Sequence, residues 1–151
     1  MPDYKKTVAL DIGEKRIGVA VSDEEGKRAF PFKTLVRQEG WKRDMAALKQ
    51  LFSEQKAERI LVGIPLQMDG TAGIQVEKVE QFIQGLRNYV RIPIITGDER
   101  LTTREAERIL ISAGQDRLQR KENIDSMAAC LLLQTLLDKE AGGIQMESIA
   151  G

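Results

Sequence analysis

Thr7-Val8-Ala9-Leu10-Asp11-Ile12-Gly13-Glu14-Lys15-Arg16-Ile17-Gly18-Val19-Ala20-Val21-Ser22-Asp23 decides the fold. Thr7 to Ile12 is an apolar, β-branched run of strand length, and so is Ile17 to Val21. The residues between them make a tight turn. Gly13 is the one most able to take a positive φ, so a left-handed backbone is expected there. Asp11 stands out. Its strand neighbours are apolar, and a carboxylate among them costs several kcal/mol (roughly 2–7 on transfer scales) unless a charge or hydrogen bond meets it. An arginine, backbone amides or a metal ion would serve.

Downstream, Asp23 to Arg28 is a charged turn, and Phe30 to Val36 reads as a third strand. Pro31 puts that strand at a sheet edge. The period then changes. Met45, Leu48, Leu51 and Phe52 recur at helical spacing over Trp41 to Gln55. Arg59 to Ile64 is a buried strand, and Gly63 to Gly73 a Gly-rich loop. Val76, Val79, Phe82, Ile83 and Leu86 mark a second helix, and Ile92 to Thr96 a fifth strand stopped by Gly97. Thr102 to Glu105 has the form of a capping box, opening a third helix that Gly114 ends. Gln115 to Glu122 reads as a linker, after which Asn123 caps a last helix from Ile124 to about Lys139. The order predicts an α/β fold: a mixed five-stranded sheet, antiparallel in its first three strands, then two α/β crossovers, with helices on both faces. One domain is expected over residues 1–140, with 141–151 a mobile tail.

Composition narrows the chemistry. Of 151 residues, 23 are basic and 23 acidic, so overall charge offers no argument for nucleic-acid binding. There is no histidine, which removes His-ligated zinc, a Ser-His-Asp triad and a histidine base. Cys130 is alone in an apolar run and reads as a buried small hydrophobe. No apolar run is long enough to cross a membrane, and the polar start does not resemble a signal peptide, so a cytoplasmic location is expected. Hydrolytic chemistry in this chain must rest on carboxylates.

Three carboxylates look related. Asp11 ends the first strand, Glu99 follows the fifth, and Asp125 lies in the expected first turn of the last helix, on its apolar face with Ala128, Ala129 and Leu132. An acid at a helix start complements the dipole, but an inward-facing one needs a further partner. In an open α/β sheet such residues meet at the rim where strand order reverses. Converging carboxylates hold Mg²⁺ or Mn²⁺ through oxygen and leave positions for water and phosphate.

Four blocks then resemble the YqgF family: Asp11 to Asp23, Gly63 to Thr71, Asp98 to Thr103, and Asn123 to Ala129. These are bacterial Holliday-junction resolvase-like proteins, also described as pre-16S rRNA nucleases. The resemblance covers about Lys5 to Asp138, with the blocks in family order. It implies an RNase H-like fold and a metal-dependent endonuclease acting on pre-rRNA or branched DNA. It also implies that Asp11, Glu99 and Asp125 are the catalytic, metal-holding acids.

Substrate contacts are expected from Lys15 and Arg16 in the first turn, Gln67 and Thr71 in the Gly-rich loop, and Arg100 and Arg104 near Glu99. From Arg100 to Lys121 there are six basic residues (Arg100, Arg104, Arg108, Arg117, Arg120, Lys121) against three acidic ones (Glu105, Glu107, Asp116). A solvated face with an Arg108–Glu105 pair is the plain alternative to a phosphate track. A homodimer through strand three or the last helix is compatible with the pattern. Two rival classes remain at this level. Asp11-x-Gly13 on a hairpin also suits an actin- or sugar-kinase-type ATP site, though that fold uses two such domains. A non-catalytic RNA-binding assembly factor would carry the acids without using them.

Overall fold

The computed structural model describes residues 5–150, with side chains described as far as Gly142. The strands are β1 (Thr7–Ile12), β2 (Arg16–Ser22), β3 (Ala29–Val36), β4 (Arg59–Ile64) and β5 (Ile94–Asp98). The helices are α1 (Trp41–Glu54), α2 (Ile74–Arg87), α3 (Thr102–Ser112) and α4 (Arg117–Ala150). The sheet order is β3-β2-β1-β4-β5, antiparallel across the first three and parallel from β1 through β4 to β5. This is the expected mixed sheet. β3 is an edge, as Pro31 requires, and its register to β2 shifts between Val19 and Ala20.

Strand alternation divides the core into two layers. Val8, Leu10, Ile17, Val19, Ile60 and Val62 face one side, where α1 brings Met45, Leu48, Leu51 and Phe52 and α2 brings Val79, Phe82, Ile83 and Leu86. Ala9, Ala20 and Leu61 face the other side, against Ala129, Leu132, Leu133 and Leu137 of α4. The first layer is built of large side chains, and the second of small ones on the sheet.

Four local expectations are corrected. Gly13 is not left-handed: the positive-φ glycines are Gly26, Gly40, Gly70 and Gly114. Its lack of a side chain serves close approach instead, because a Cβ there would stand 2.9 Å from the Arg16 carbonyl oxygen. β5 runs two residues later than its hydrophobicity suggests. Pairing to β4 begins at Ile94 and continues to Asp98 opposite Ile64, so Gly97 is inside the strand and does not stop it. The capping box does not form. Leu101 is the N-cap, at φ 69 and without a side-chain cap, and the Thr102 hydroxyl donates to the Glu99 carbonyl at 2.7 Å. Finally, α4 starts at Arg117, so most of the supposed linker is helix. Asn123 caps nothing and donates from Nδ2 to Gln115 Oε1 at 3.1 Å. α4 continues beyond Lys139 through Ala150. The expectation of a mobile tail over 141–151 falls on residues whose side chains, from 143 on, lie outside the described residues.

Candidate active site

The rim at the C-terminal ends of β1, β4 and β5 carries the site. Asp11 pairs with Gly18 of β2 and shares a face with Ala9, the face turned toward α4. One residue beyond the last paired position on β4 lies Gly63, which pairs with Gly97 of β5. A transverse row Gly18, Asp11, Gly63, Gly97 therefore crosses the sheet under α4. Each glycine leaves room for something specific. A Cβ on Gly18 would lie 2.0 Å from the Asp125 carbonyl oxygen, so α4 touches the sheet backbone there. A Cβ on Gly63 would meet the Glu99 carboxyl, and one on Gly97 the Leu132 side chain at 3.1 Å.

These contacts bring the acids together. Glu99 is the first residue past β5, its amide donating to the Ile64 carbonyl at 3.2 Å, and its carboxyl folds back over Gly63 toward Asp11. The Asp11 and Glu99 carboxyl groups lie close enough to hydrogen-bond to each other when one of them is protonated. Burial first, then the Asp11 charge, pushes the Glu99 carboxyl up to about 9. Burial also raises Asp11, to about 6, against the lowering effect of its bond to Glu99. Asp125 is raised by burial and held back by the Arg16 charge. It acts on Asp11 and Glu99 through its charge alone. Because α4 begins at Arg117, Asp125 lies more than two turns inside the helix. The helix dipole acts within the first turn, so it cannot account for a carboxylate there. Among the described residues no ion pair engages any of the three acids. Among those residues an arginine acts on the set only at a distance, through the Arg16 charge on Asp125.

Among the described residues, no three acidic, thiol or imidazole groups are gathered tightly enough to be a ready-made metal cage. Asp11 and Glu99 form the tight pair, and Asp125 stands off from it. The chemistry of the donors still suits a hard cation. They are all carboxylate oxygens, they are largely desolvated, and they carry more negative charge than the site neutralises without a proton.

The expected substrate contacts divide. Lys15 is exposed in the turn after Asp11, and its backbone carbonyl accepts from the Arg37 amide at 2.9 Å. Arg16 starts β2 and lies close enough to Asp125 to favour its charged form. Gln67 and Thr71 bond each other: the Gln67 amide donates to the Thr71 carbonyl at 2.9 Å, and the Thr71 hydroxyl to Gln67 Oε1 at 3.2 Å. Arg100 is committed within the protein. It donates from Nε to Asp98 Oδ2 at 2.8 Å and from Nη1 to the Met68 carbonyl at 3.3 Å. Arg104 is exposed on α3, and neither it nor Arg108 forms an ion pair among the described residues. The Arg108–Glu105 pair of the plain alternative is thus absent there. Gly18 and Gly63 were not foreseen as site residues. Their signal was available, since a glycine inside an apolar strand marks a close approach.

Residues 5–139 match the model of the family described as RuvX, Holliday junction resolvase. A protein of Desulforamulus reducens is 46% identical over 136 residues, covering 90% of this chain and 98% of that protein. One of Syntrophus aciditrophicus is 44% identical over 133 residues, 88% of each. Both are described as "Putative pre-16S rRNA nuclease". Among solved structures, RuvC of T. thermophilus in complex with Holliday junction substrate matches with a TM-score of 0.56. It is 12% identical and covers 92% of this chain and 97% of that one. That likeness concerns the fold, and with the sheet order above it makes this an RNase H-like fold. The sequence resemblance to the YqgF group and the match over residues 5–139 agree, and the chain belongs to the RuvX family.

Proposed function

We propose that the protein is a divalent-metal-dependent endonuclease that cuts a phosphodiester in structured nucleic acid, with the 5′ end of pre-16S rRNA as its substrate. The observation that carries this reading is the convergence of Asp11, Glu99 and Asp125 from three distant segments, with Asp11 and Glu99 adjacent and none in an ion pair among the described residues. The descriptions of its relatives support the RNA substrate.

Asp11 and Glu99 are the residues that would hold Mg²⁺ or Mn²⁺, with Asp125 the third acid. A divalent ion there supplies Lewis acidity and a water acidic enough to attack phosphorus. Asp11 on a central strand supplies a fixed carboxylate. Glu99, at a strand end over Gly63, would hold the cation as a carboxylate beside Asp11. Arg16 favours the charged form of Asp125 against the effect of burial, and Lys15 and Arg104 meet the phosphate backbone outside the acids. Its place of action is the cytoplasm, where bacterial rRNA precursors are made. Among the described residues no helix is long and apolar enough to cross a membrane. The β3 edge, with Phe30, Phe32 and Val36 exposed, is the candidate surface for a homodimer.

The test is cleavage of an RNA carrying the 5′ flank of pre-16S rRNA, with a four-way DNA junction in parallel, in Mg²⁺ or Mn²⁺. Cutting of the RNA by the wild type and its loss in Asp11→Asn is the expected result. Equal cutting by both proteins removes Asp11 from the mechanism. Cutting of the junction alone moves the substrate from RNA to branched DNA.

A further inference from the structure

A groove of about 540 Å³ opens on the α2 side of the same rim, within the range of small-molecule sites. Its lining ends at Gly97 and Asp98, the residues just before Glu99. We propose that this groove is a subsite for one unstacked nucleobase next to the scissile phosphate. This rests on the nuclease reading above and adds how that site engages its substrate.

The walls are apolar where a base face would lie: Ile64 from β4, and Val76 and Ile83 from α2. The lip is polar where a base edge would lie. Glu80, Gln84 and Arg87 recur at four- and three-residue spacing along one face of α2. They offer an acceptor, an amide of both kinds and a guanidinium donor. Among the described residues neither Glu80 nor Arg87 is ion-paired, so both edges are free to bond a ligand.

Leu66 and Ala72 form the roof, and they belong to a loop that is already closed. The Gly70 amide donates to the Gln67 carbonyl at 2.8 Å, with Gly70 at φ +86. The Thr71 hydroxyl donates to Asp69 Oδ1 at 2.6 Å. Arg100 ties the loop to Asp98 through the Met68 carbonyl. A roof ordered before the ligand arrives spares the entropy of ordering it on binding. The dimensions suit one base and its sugar rather than a duplex, whose bases are stacked out of reach. A flanking nucleotide must therefore leave its stack to enter.

The experiment uses an RNA hairpin with a single-stranded 5′ flank, carrying 2-aminopurine in turn at each flank nucleotide. The Asp11→Asn protein binds it without cutting, and fluorescence reports the nucleotide that unstacks. One position beside the cleavage point should brighten. Arg87→Ala and the groove-filling Ala72→Trp should abolish that signal. In cleavage by the otherwise wild-type protein, both should raise KM about tenfold while kcat stays within about twofold. No brightening at any position, or brightening and KM that survive both variants, overturns the subsite. If the RNA is cut without brightening, the subsite falls and the nuclease reading stands. If the wild type cuts nothing while an Arg87-dependent brightening is present, the nuclease reading falls and the base-binding groove stands.

Discussion

The two faces of the β1–β4 centre are built to different ends. Toward α1 and α2 the sheet offers Val8, Leu10, Ile17, Ile60 and Val62, which fill the space to those helices with large side chains. Toward α4 it offers Ala9, Ala20 and Leu61, then, at the rim, Gly18, Asp11 and Gly63. On the first face burial of apolar area is the whole purpose. On the second, the side chains are stripped away so that a helix backbone and a second carboxylate can reach Asp11. The first face stabilises the fold. The second gives up part of that stability to gather like charges.

Truncation on the packed face should have the largest effect on folding. Phe82 is 2% exposed and central to that layer, and Phe82→Ala should cost about 3–5 kcal/mol in chemical denaturation. Cleavage per folded molecule should stay near wild type. A loss of cleavage beyond the loss of folded protein would mean the two faces are not separable.

A smaller cost in stability with a larger cost in activity is expected from Gly18→Ala. Its Cβ would fall 2.0 Å from the Asp125 carbonyl oxygen, so α4 must move away. Overpacking of this kind costs about 1–3 kcal/mol. The displaced Asp125 should lower cleavage more than melting would account for. Unchanged activity would show that the closeness of α4 to β2 is not what positions the third acid.

Asp11→Asn should do the reverse of Phe82→Ala. It removes a buried charge, so without metal at pH 8 it should raise Tm, by about 3 °C for each kcal/mol of relief. A lower Tm would mean that the Asp11–Glu99 contact outweighs the cost of burying the Asp11 charge.

The last test is a pH profile. Glu99 has its folded-state value raised from 4.5 to about 9, so the folded protein holds a proton that the unfolded chain releases. The stability from this group is then fully present below pH 4.5 and lost as pH rises through about 9. Metal-free protein should melt lower at pH 9 than at pH 5.5. Saturating Mg²⁺ should flatten that slope by replacing the proton. A profile that rises with pH in the absence of metal would exclude a protonated Glu99.

How legible all this was varies by residue. Asp11 could be read from its strand alone, because a carboxylate among Val, Ala, Leu and Ile has no bland explanation. Asp125 was found for an incomplete reason. Its apolar helical face was visible, but the polar stretch from Arg117 to Glu122 hid the helix start, since a helix with a solvated first turn carries no hydrophobic period. Glu99 stood out only as one of a set, beside Asp11 and Asp125 on the same expected rim, because an acid after a strand is common by itself. β5 was displaced by two residues because pairing to β4, and not its own hydrophobicity, sets its ends.

What the chain alone determined was the alternation and period that make five strands and four helices, and a composition without histidine that leaves carboxylates to do the chemistry. Those are local properties, written in neighbouring residues. Only the tertiary structure decided that Gly18, Gly63 and Gly97 lie in one row with Asp11, that the Glu99 carboxyl reaches back to Asp11, and that Arg100 is spent on Asp98 and the loop at Met68. Such facts depend on strand register and helix placement, which bring together residues far apart in sequence, and no local pattern encodes that distance.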